Sequence, residues 1–321
     1  MSERPGEEAL IARFFAPLAT DPGALGLLDD AATLSLPQGE ELVVTTDALV
    51  SGGHFFPNDP PDLVARKALR VNLSDLAAKG ARPRGYLLTL ALPDDWTVEW
   101  LEAFARGLRE DQEAFGFPLL GGDTTRAMGP LVISVTALGT VPAGRAIRRT
   151  GARPGDVVAV SGTIGDGALG CRLLYEPSLG AGLPREHLAA LHARYRLPLP
   201  RTGLIELLRA VAHAAMDVSD GLVGDLAKLC LASGVAAEIE ADAVPLSAAA
   251  GALIALKPAL FEAALTGGDD YEILAALPQT ALAGLSGALT PIGRIVNGAG
   301  EVRVVRGGAP LALAKGSFSH F

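Results

Sequence analysis

The chain has 321 residues, 49% of them hydrophobic, with 27 basic against 36 acidic side chains and a formal net charge of −9. This is enough apolar material for one large core or two medium ones, and the acidic balance disfavours nucleic acid and anionic lipid as partners. Two cysteines without metal-ligand spacing (Cys171, Cys230), a polar N-terminus without a signal core and apolar runs well short of the ~18 residues of a membrane span predict a cytoplasmic protein with buried, reduced thiols and no membrane partner.

In chain order, a first helix is expected over Glu7 to Leu18, where Leu10, Ile11, Phe14, Phe15 and Leu18 form one stripe. Strand patterns follow at Ala32 to Leu36 and Leu42 to Thr46. Asp62 to Lys79 reads as a long helix opened by Pro60-Pro61 and ended by Gly80. A strand at Tyr86 to Leu92, a helix at Val98 to Phe115 and strands at Phe117 to Leu120 and Leu131 to Val141 complete the first half. Glycine and proline then thicken, which places a boundary between residues 1–144 and 145–321. The second half repeats the alternation: strand Val157 to Ser161, helix Gly167 to Tyr175, then a Pro-rich connector from Pro177 to Pro200 with room for one short helix. Strand Ala214 to Val218, helix Leu222 to Ser233 capped by Gly234, and strands Ala236 to Glu240, Tyr271 to Ala276 and Pro291 to Val296 follow. Mixed strands and helices in both halves predict two α/β (α+β) domains, each with its own sheet.

Aspartate recurs beside strongly apolar segments, where it costs free energy unless partnered. Asp29-Asp30 precedes an apolar run, Thr45-Thr46-Asp47 ends the Leu-Val-Val strand, and Asn72, Asp75 and Lys79 share one polar stripe of the long helix. Gly121-Gly122-Asp123 follows a strand as an expected tight turn, and period two sets Asp217 and Ser219 on one face. Each has an ordinary alternative, since Asp220 suits a helix cap and Asp29 or Asp30 a turn. Grouped carboxylates with no His or Cys among them select magnesium or calcium, and magnesium completes its shell with phosphate oxygens. No Gly-Lys dipeptide, protein-kinase triplet or His-Glu-x-x-His helix is present, so those phosphate and zinc chemistries are excluded. Gly165-Asp-Gly167-Ala-Leu-Gly170 matches the dinucleotide fingerprint, but a Pro-rich connector follows it, so it reads as a glycine-rich strand-to-helix turn.

Together these segments resemble the thiamine-monophosphate kinase family, within the superfamily that includes aminoimidazole ribonucleotide synthetase. The likeness rests on Asp29-Asp30-Ala-Ala, Thr45-Thr-Asp47 through Gly53-His54-Phe55, Lys67-Ala68 through Val71-Asn-Leu-Ser-Asp-Leu-Ala-Ala78, and Gly121-Gly-Asp-Thr-Thr-Arg126. It continues through Arg149-Thr-Gly-Ala-Arg-Pro-Gly-Asp156, Asp217-Val-Ser-Asp-Gly-Leu222, Gly267-Gly-Asp-Asp-Tyr-Glu272 and Phe318-Ser-His-Phe321. The resemblance implies two α/β domains, a homodimer pairing the N-terminal sheets, and ATP as co-substrate. By resemblance, Asp30, Thr45, Thr46, Asp47, Asp75, Asp123, Asp217 and Asp220 would hold several Mg2+ ions. Gly122, Asp123, Arg149 and Ser219 would contact nucleotide, and His54, Asp269 and Phe318 would line the thiamine monophosphate site. Leu28, Asp269 and Phe318 depart from the family's usual glycine, glutamate and tyrosine. A related cyclase, a selenophosphate synthetase, or a non-catalytic nucleotide sensor are the alternatives.

Overall fold

A computed structural model describes residues 4–285, 287–314 and 317. The chain divides into two compact units, Met1–Leu76 with Ala81–Gly144, and Ala77–Gly80 with Arg145–Phe321.

The first unit opens with a short helix, α1 (Glu7–Leu10), that widens at Ile11–Phe15 and tightens at Ala16–Leu18. The expected stripe is therefore present in three pieces, with Leu10, Phe14, Phe15 and Leu18 buried. The residues from Ala32 to Leu36 form no strand. Four strands, β1 (Glu40–Val50), β2 (Arg82–Leu92), β3 (Leu119–Arg126) and β4 (Val132–Pro142), make one sheet in the order β1-β4-β2-β3. The β2–β3 pair is parallel; β1–β4 and β2–β4 are antiparallel. Helices α2 (Pro61–Ala78) and α3 (Val98–Phe115) join β1 to β2 and β2 to β3. Proline suits the first turn of α2, and α3 starts where Thr97 accepts the Trp100 amide and ends at Gly116 in left-handed backbone. Period two is plain in β2, where Tyr86, Leu88, Leu90 and Leu92 are buried while Leu87 and Thr89 are exposed. The buried face carries the core with Leu69, Leu73, Leu101, Phe104 and Leu108, all fully buried.

The second unit holds a seven-stranded mixed sheet. Its strands are β5 (Val157–Val160), β6 (Ala214–Asp217), β7 (Ala236–Glu240), β8 (Ile273–Leu277), β9 (Thr290–Val296), β10 (Val302–Arg306) and β11 (Ala309–Pro310), ordered β11-β10-β7-β9-β5-β8-β6. Helices α4 (Asp166–Tyr175), α5 (Arg185–Arg196), α6 (Ile205–Val211), α7 (Leu222–Ser233), α8 (Ala248–Leu256) and α9 (Leu260–Thr266) accompany it. The Pro-rich connector thus contains a twelve-residue helix, α5. One cluster of this sheet's residues, Met216, Leu274, Ile292, Ile295 and Val304, packs with Leu222, Leu226, Leu229 and Cys230 of α7, and a second, Ala159, Ala215, Ile273, Ala275 and Leu277, with Ile205 and Leu208 of α6. Burial pushes the Cys230 thiol up to about 11, as befits an inert packing residue. Among the described residues no helix is long and apolar enough to cross a membrane.

Candidate functional site

In the first unit, alternation along β1 turns Thr45, Asp47 and Leu49 toward the covered face and Val44, Thr46 and Ala48 toward the open one. The Thr45 hydroxyl donates to Asp75 Oδ2 of α2 at 2.6 Å, so strand and helix present oxygen atoms side by side. Thr46 lies on the opposite face, donating to the Val135 carbonyl at 3.1 Å with its hydroxyl 3.2 Å from that of Thr136. The polar stripe of α2 divides: Asn72 donates to the Ala68 carbonyl, while Lys79 donates to the Ala215 carbonyl at 2.7 Å. Asp30 is exposed, with its amide turned onto Asp29 Oδ1.

The Gly121-Gly122-Asp123 segment is not a turn; it runs extended inside β3. A Cβ at Gly122 would sit 1.9 Å from the Leu88 carbonyl oxygen, so glycine here permits a close strand approach rather than a bend. Registers connect Asp47 to Val135, Val135 to Leu88, and Leu88 to Gly122. Three strand spacings then separate β1 from β3, about 14 Å. Within one chain, Asp123 and Asp47 therefore stand at opposite edges of the same sheet.

In the second unit, the segments 217–222 and 267–272 lie together. The Val218 amide donates to the Glu272 carbonyl, the Tyr271 amide to the Val218 carbonyl, and the Asp269 amide to the Ser219 carbonyl at 2.9 Å. This zipper brings Asp217, Ser219 and Asp220 beside Asp269. Strand β6 ends at Asp217, so the expected strand face shared with Ser219 is replaced by this loop pairing. Asp269 and Tyr271 carry positive φ values of 70° and 52°, an uncommon conformation for residues with side chains. Asp220 does not cap α7. Instead the buried Asp225 carboxylate accepts the Ser219 and Asp220 amides, and Lys228 donates to both Asp220 and Asp225. Arg149 is exposed, its carbonyl held by the Ser233 hydroxyl. In the first unit's loop after β1, His54 Nδ1 accepts the Val50 amide at 3.1 Å. Phe318 lies outside the described residues.

The dinucleotide-like turn is occupied by the chain itself. Asp270 accepts the Gly165 amide at 2.7 Å and the Gly167 amide at 3.0 Å, so a carboxylate stands where a bound phosphate would need those donors. Burial pushes the Asp270 carboxyl well above its usual range, against those two amides. Fully buried Glu272 pairs with Arg194 at 2.9 Å and with Arg201, and accepts the Ser161 hydroxyl at 2.6 Å. Within Gly-Gly-Asp-Asp-Tyr-Glu, only Glu272 carries a signal of its own, since it directly precedes the apolar run of β8; nothing in the sequence separates Asp270 from Asp269.

Magnesium fits the donors at hand. They are hydroxyl and carboxylate oxygens with no nitrogen or sulfur among them, and the buried Asn72 Oδ1, one turn from Asp75, has no hydrogen-bond partner. Among the described residues no group of three or more His, Cys, Asp or Glu side chains is close enough to hold an ion.

The two domains match the class of AIR synthase related proteins. The family profiles for the N-terminal domain and the C-terminal domain match residues 28–141 and 153–306. A thiamine-monophosphate kinase of Caulobacter vibrioides is 44% identical over 94% of this chain and 88% of its own. The crystal structure of a thiamine-monophosphate kinase from Stenotrophomonas maltophilia superimposes with a TM-score of 0.82 at 42% identity, covering 95% of this chain and 98% of that one. A structure described as AaThiL complexed with AMPPCP and TMP covers 100% of both chains with a TM-score of 0.80 at 32% identity. The chain belongs to the thiamine-monophosphate kinase family.

Proposed function

We propose that this protein transfers the γ-phosphoryl group of ATP directly to the phosphate of thiamine monophosphate, giving thiamine diphosphate and ADP. The carrying observation is the Thr45–Asp75 oxygen pair on the covered face of β1, in a chain 44% identical to a thiamine-monophosphate kinase. The AMPPCP and TMP bound by its structural relative support the same pair of substrates. A phosphate monoester is largely dianionic near neutral pH, so an in-line attack needs no strong base.

Bound magnesium would neutralise two polyanions and stabilise charge spreading over the transferred group. Asp30, Thr45, Thr46, Asp47, Asp75, Asp123, Asp217 and Asp220 are the residues we assign to hold it. Gly122, Asp123, Arg149 and Ser219 are assigned to the nucleotide, and His54, Asp269 and Phe318 to the acceptor. The zipper through Val218 and Ser219 supports pairing Ser219 with Asp269 in one reacting centre.

A homodimer and cytoplasmic residence belong to this reading. The open face of the first unit's sheet exposes Leu42, Val44 and Leu87 by 42%, 55% and 39%, an apolar surface suited to a second copy. Edge strands β1 and β3 invite the partner sheet alongside, which would set one copy's Asp123 next to the other's Asp47 and relieve the 14 Å separation of about three strand spacings.

The test is ADP release measured with ATP, magnesium and a panel of phosphorylated acceptors. Release that depends on thiamine monophosphate, with thiamine diphosphate formed, is expected. Nucleotide binding without ADP release would make the chain a sensor instead.

A further inference from the structure

The segment 267–272 of the second unit alternates along its length. Asp269 and Tyr271 are partly buried and carry the positive φ values of 70° and 52°, whereas Asp270 and Glu272 are buried completely. Left-handed backbone at two residues with side chains, one of them a bulky tyrosine, costs free energy and persists only where its surroundings over-determine it.

The buried pair supplies that restraint. The Asp270 carboxylate accepts the Gly165 and Gly167 amides at the start of α4, and its carbonyl accepts Arg194 Nη2 at 3.4 Å. Glu272 Oε1 accepts Arg194 at 2.9 Å, and Oε2 accepts Arg201 and the Ser161 hydroxyl. The same Ser161 oxygen receives the Ile273 amide at 2.8 Å, which ties the end of the segment to strand β8. Arg194 thus touches both residues at once. It comes from α5, which lies so close on α4 that a Cβ at Gly170 would stand 2.1 Å from the Leu191 carbonyl oxygen. Its guanidinium is also 3.9 Å from Asp166, whose carboxylate is fixed by the Thr163 and Ser247 hydroxyls. Space is as tight as the bonding. A Cβ at Gly167 would meet the Asp269 carbonyl oxygen at 2.2 Å, and one at Gly268 the Ser219 carbonyl oxygen at 2.1 Å.

We propose that Arg194, Asp270 and Glu272 are positioning residues for Asp269, the carboxylate assigned to the phosphoryl acceptor. The inference rests on the kinase reading and adds to it the groups that act through Asp269 from behind. A binding side chain must be held within about 0.5 Å of its productive place, which a loop without such anchors does not provide. With the even-numbered residues fixed in the body of the unit, Asp269 is turned outward, its amide on the Ser219 carbonyl at 2.9 Å. The facing segment has an anchor of its own, since the buried Asp225 accepts the Ser219 and Asp220 amides. Loosening Asp269 is therefore felt by the acceptor, while the nucleotide contact assigned to Ser219 stays in place.

Arg194→Met keeps an apolar stem and leaves Glu272 paired with Arg201. KM for thiamine monophosphate is expected to rise about five- to tenfold, with kcat and KM for ATP within about twofold, as loss of uniform binding to one substrate requires. Asp269→Ala raises the same KM by itself. In that background Arg194→Met should add less than about twofold, the non-additivity of one group acting through another. Arg194→Lys, which keeps a charge against Glu272, should recover part of the loss. A merely structural role would lower the melting temperature and the active fraction with KM unmoved, or would multiply with Asp269→Ala; either result overturns the proposal. Amide hydrogen exchange, followed by NMR without substrate, is expected to quicken at least about tenfold at Asp269 and Tyr271 and to hold steady at Ser219 and Asp220. Unchanged exchange at Asp269 and Tyr271 overturns it too. If Arg194→Met does not fold, Arg194→Lys decides by the same measurements. Failure of the parent chain to release ADP with thiamine monophosphate instead sinks the kinase reading, and the exchange measurement then judges the hold on Asp269 separately.

Discussion

At the scale of single residues, position on the strand sorts the candidate ligands. Thr45 and Asp47 face α2, where Asp75 already accepts the Thr45 hydroxyl, so charge removal at Asp75 isolates the electrostatic role of that pair. Asp75→Asn keeps the shape and the hydrogen-bond acceptor. It should lower kcat by about 100-fold, the ~3 kcal/mol usual for groups that stabilise developing charge. The melting temperature should stay close to that of the parent chain, and near-normal turnover at saturating magnesium would remove Asp75 from the reacting centre. Gly122 is limited by space rather than by backbone conformation. Gly122→Ala would drive a methyl group to 1.9 Å from the Leu88 oxygen, so β3 must part from β2. Circular dichroism melting should show a loss of at least ~1–3 kcal/mol, the range for overpacking. The sequence identified these acids by residue type and spacing alone. It could not reveal that Asp123 sits across the sheet from Asp47, because strand order is set by pairing between distant segments. Nor could it separate Asp225 and Lys228 from ordinary helix residues, since their role depends on a loop folding back over them.

At the scale of elements, helix α3 matched its expected bounds of Val98 to Phe115 because cap, stripe and terminal glycine agree, and α7 matched its bounds of Leu222 to Ser233 on its apolar stripe and terminal Gly234 alone, with no side-chain cap. Ala32 to Leu36 has a strand composition but no partner strand, and propensity without pairing does not make a ladder. Strands β10 and β11, short and rich in charge or proline, carried too little alternation to be read. Two buried carboxylates ahead of β8, Asp270 and Glu272, bear on stability. Glu272 is fully buried between Arg194 and Arg201, which are themselves about one-quarter exposed. Glu272→Ala removes the carboxylate that both cations share, leaving Arg194 with Asp166 at 3.9 Å and the Asp270 carbonyl, and also strips the Ser161 hydroxyl of its acceptor. Urea unfolding should show a loss of about 3 kcal/mol, the lower end for breaking a buried pair. Asp270 acts in the other direction with pH. Burial raises its folded value above the ordinary 3.8, so the stability tied to its proton is complete below that value and lost as pH rises through the raised one. Between weakly acidic and neutral pH, the parent chain's melting temperature should therefore fall relative to that of Asp270→Asn. Parallel profiles for the two proteins would show that Asp270 is ionised throughout.

At the scale of the whole molecule, the open face of the first sheet decides whether one copy can act alone. Leu42, Val44 and Leu87 are exposed on it, and among the described residues β1 and β3 are the edges of the sheet. Two copies pairing edge to edge would close both edges, bury this apolar face and bring Asp123 of one chain to Asp47 of the other. Val44→Arg sets a charge at the most exposed of these apolar positions without touching the covered face, where Thr45 and Asp75 lie. Sedimentation velocity should show the parent chain as a dimer and the variant as a monomer. Activity should fall with assembly, since each reacting centre would lose the partner's carboxylate. Mixing an inactive Asp47→Asn chain with an inactive Asp123→Asn chain separates shared from self-contained centres. In a mixed dimer, one centre would combine both damaged groups and the other neither, so up to about half of the mixed dimers' normal activity returns if the ligands cross the interface. Recovery of none, with dimer exchange verified by tagged subunits, would place Asp123 and Asp47 in the same chain's centre and require the sheet registers themselves to change on binding.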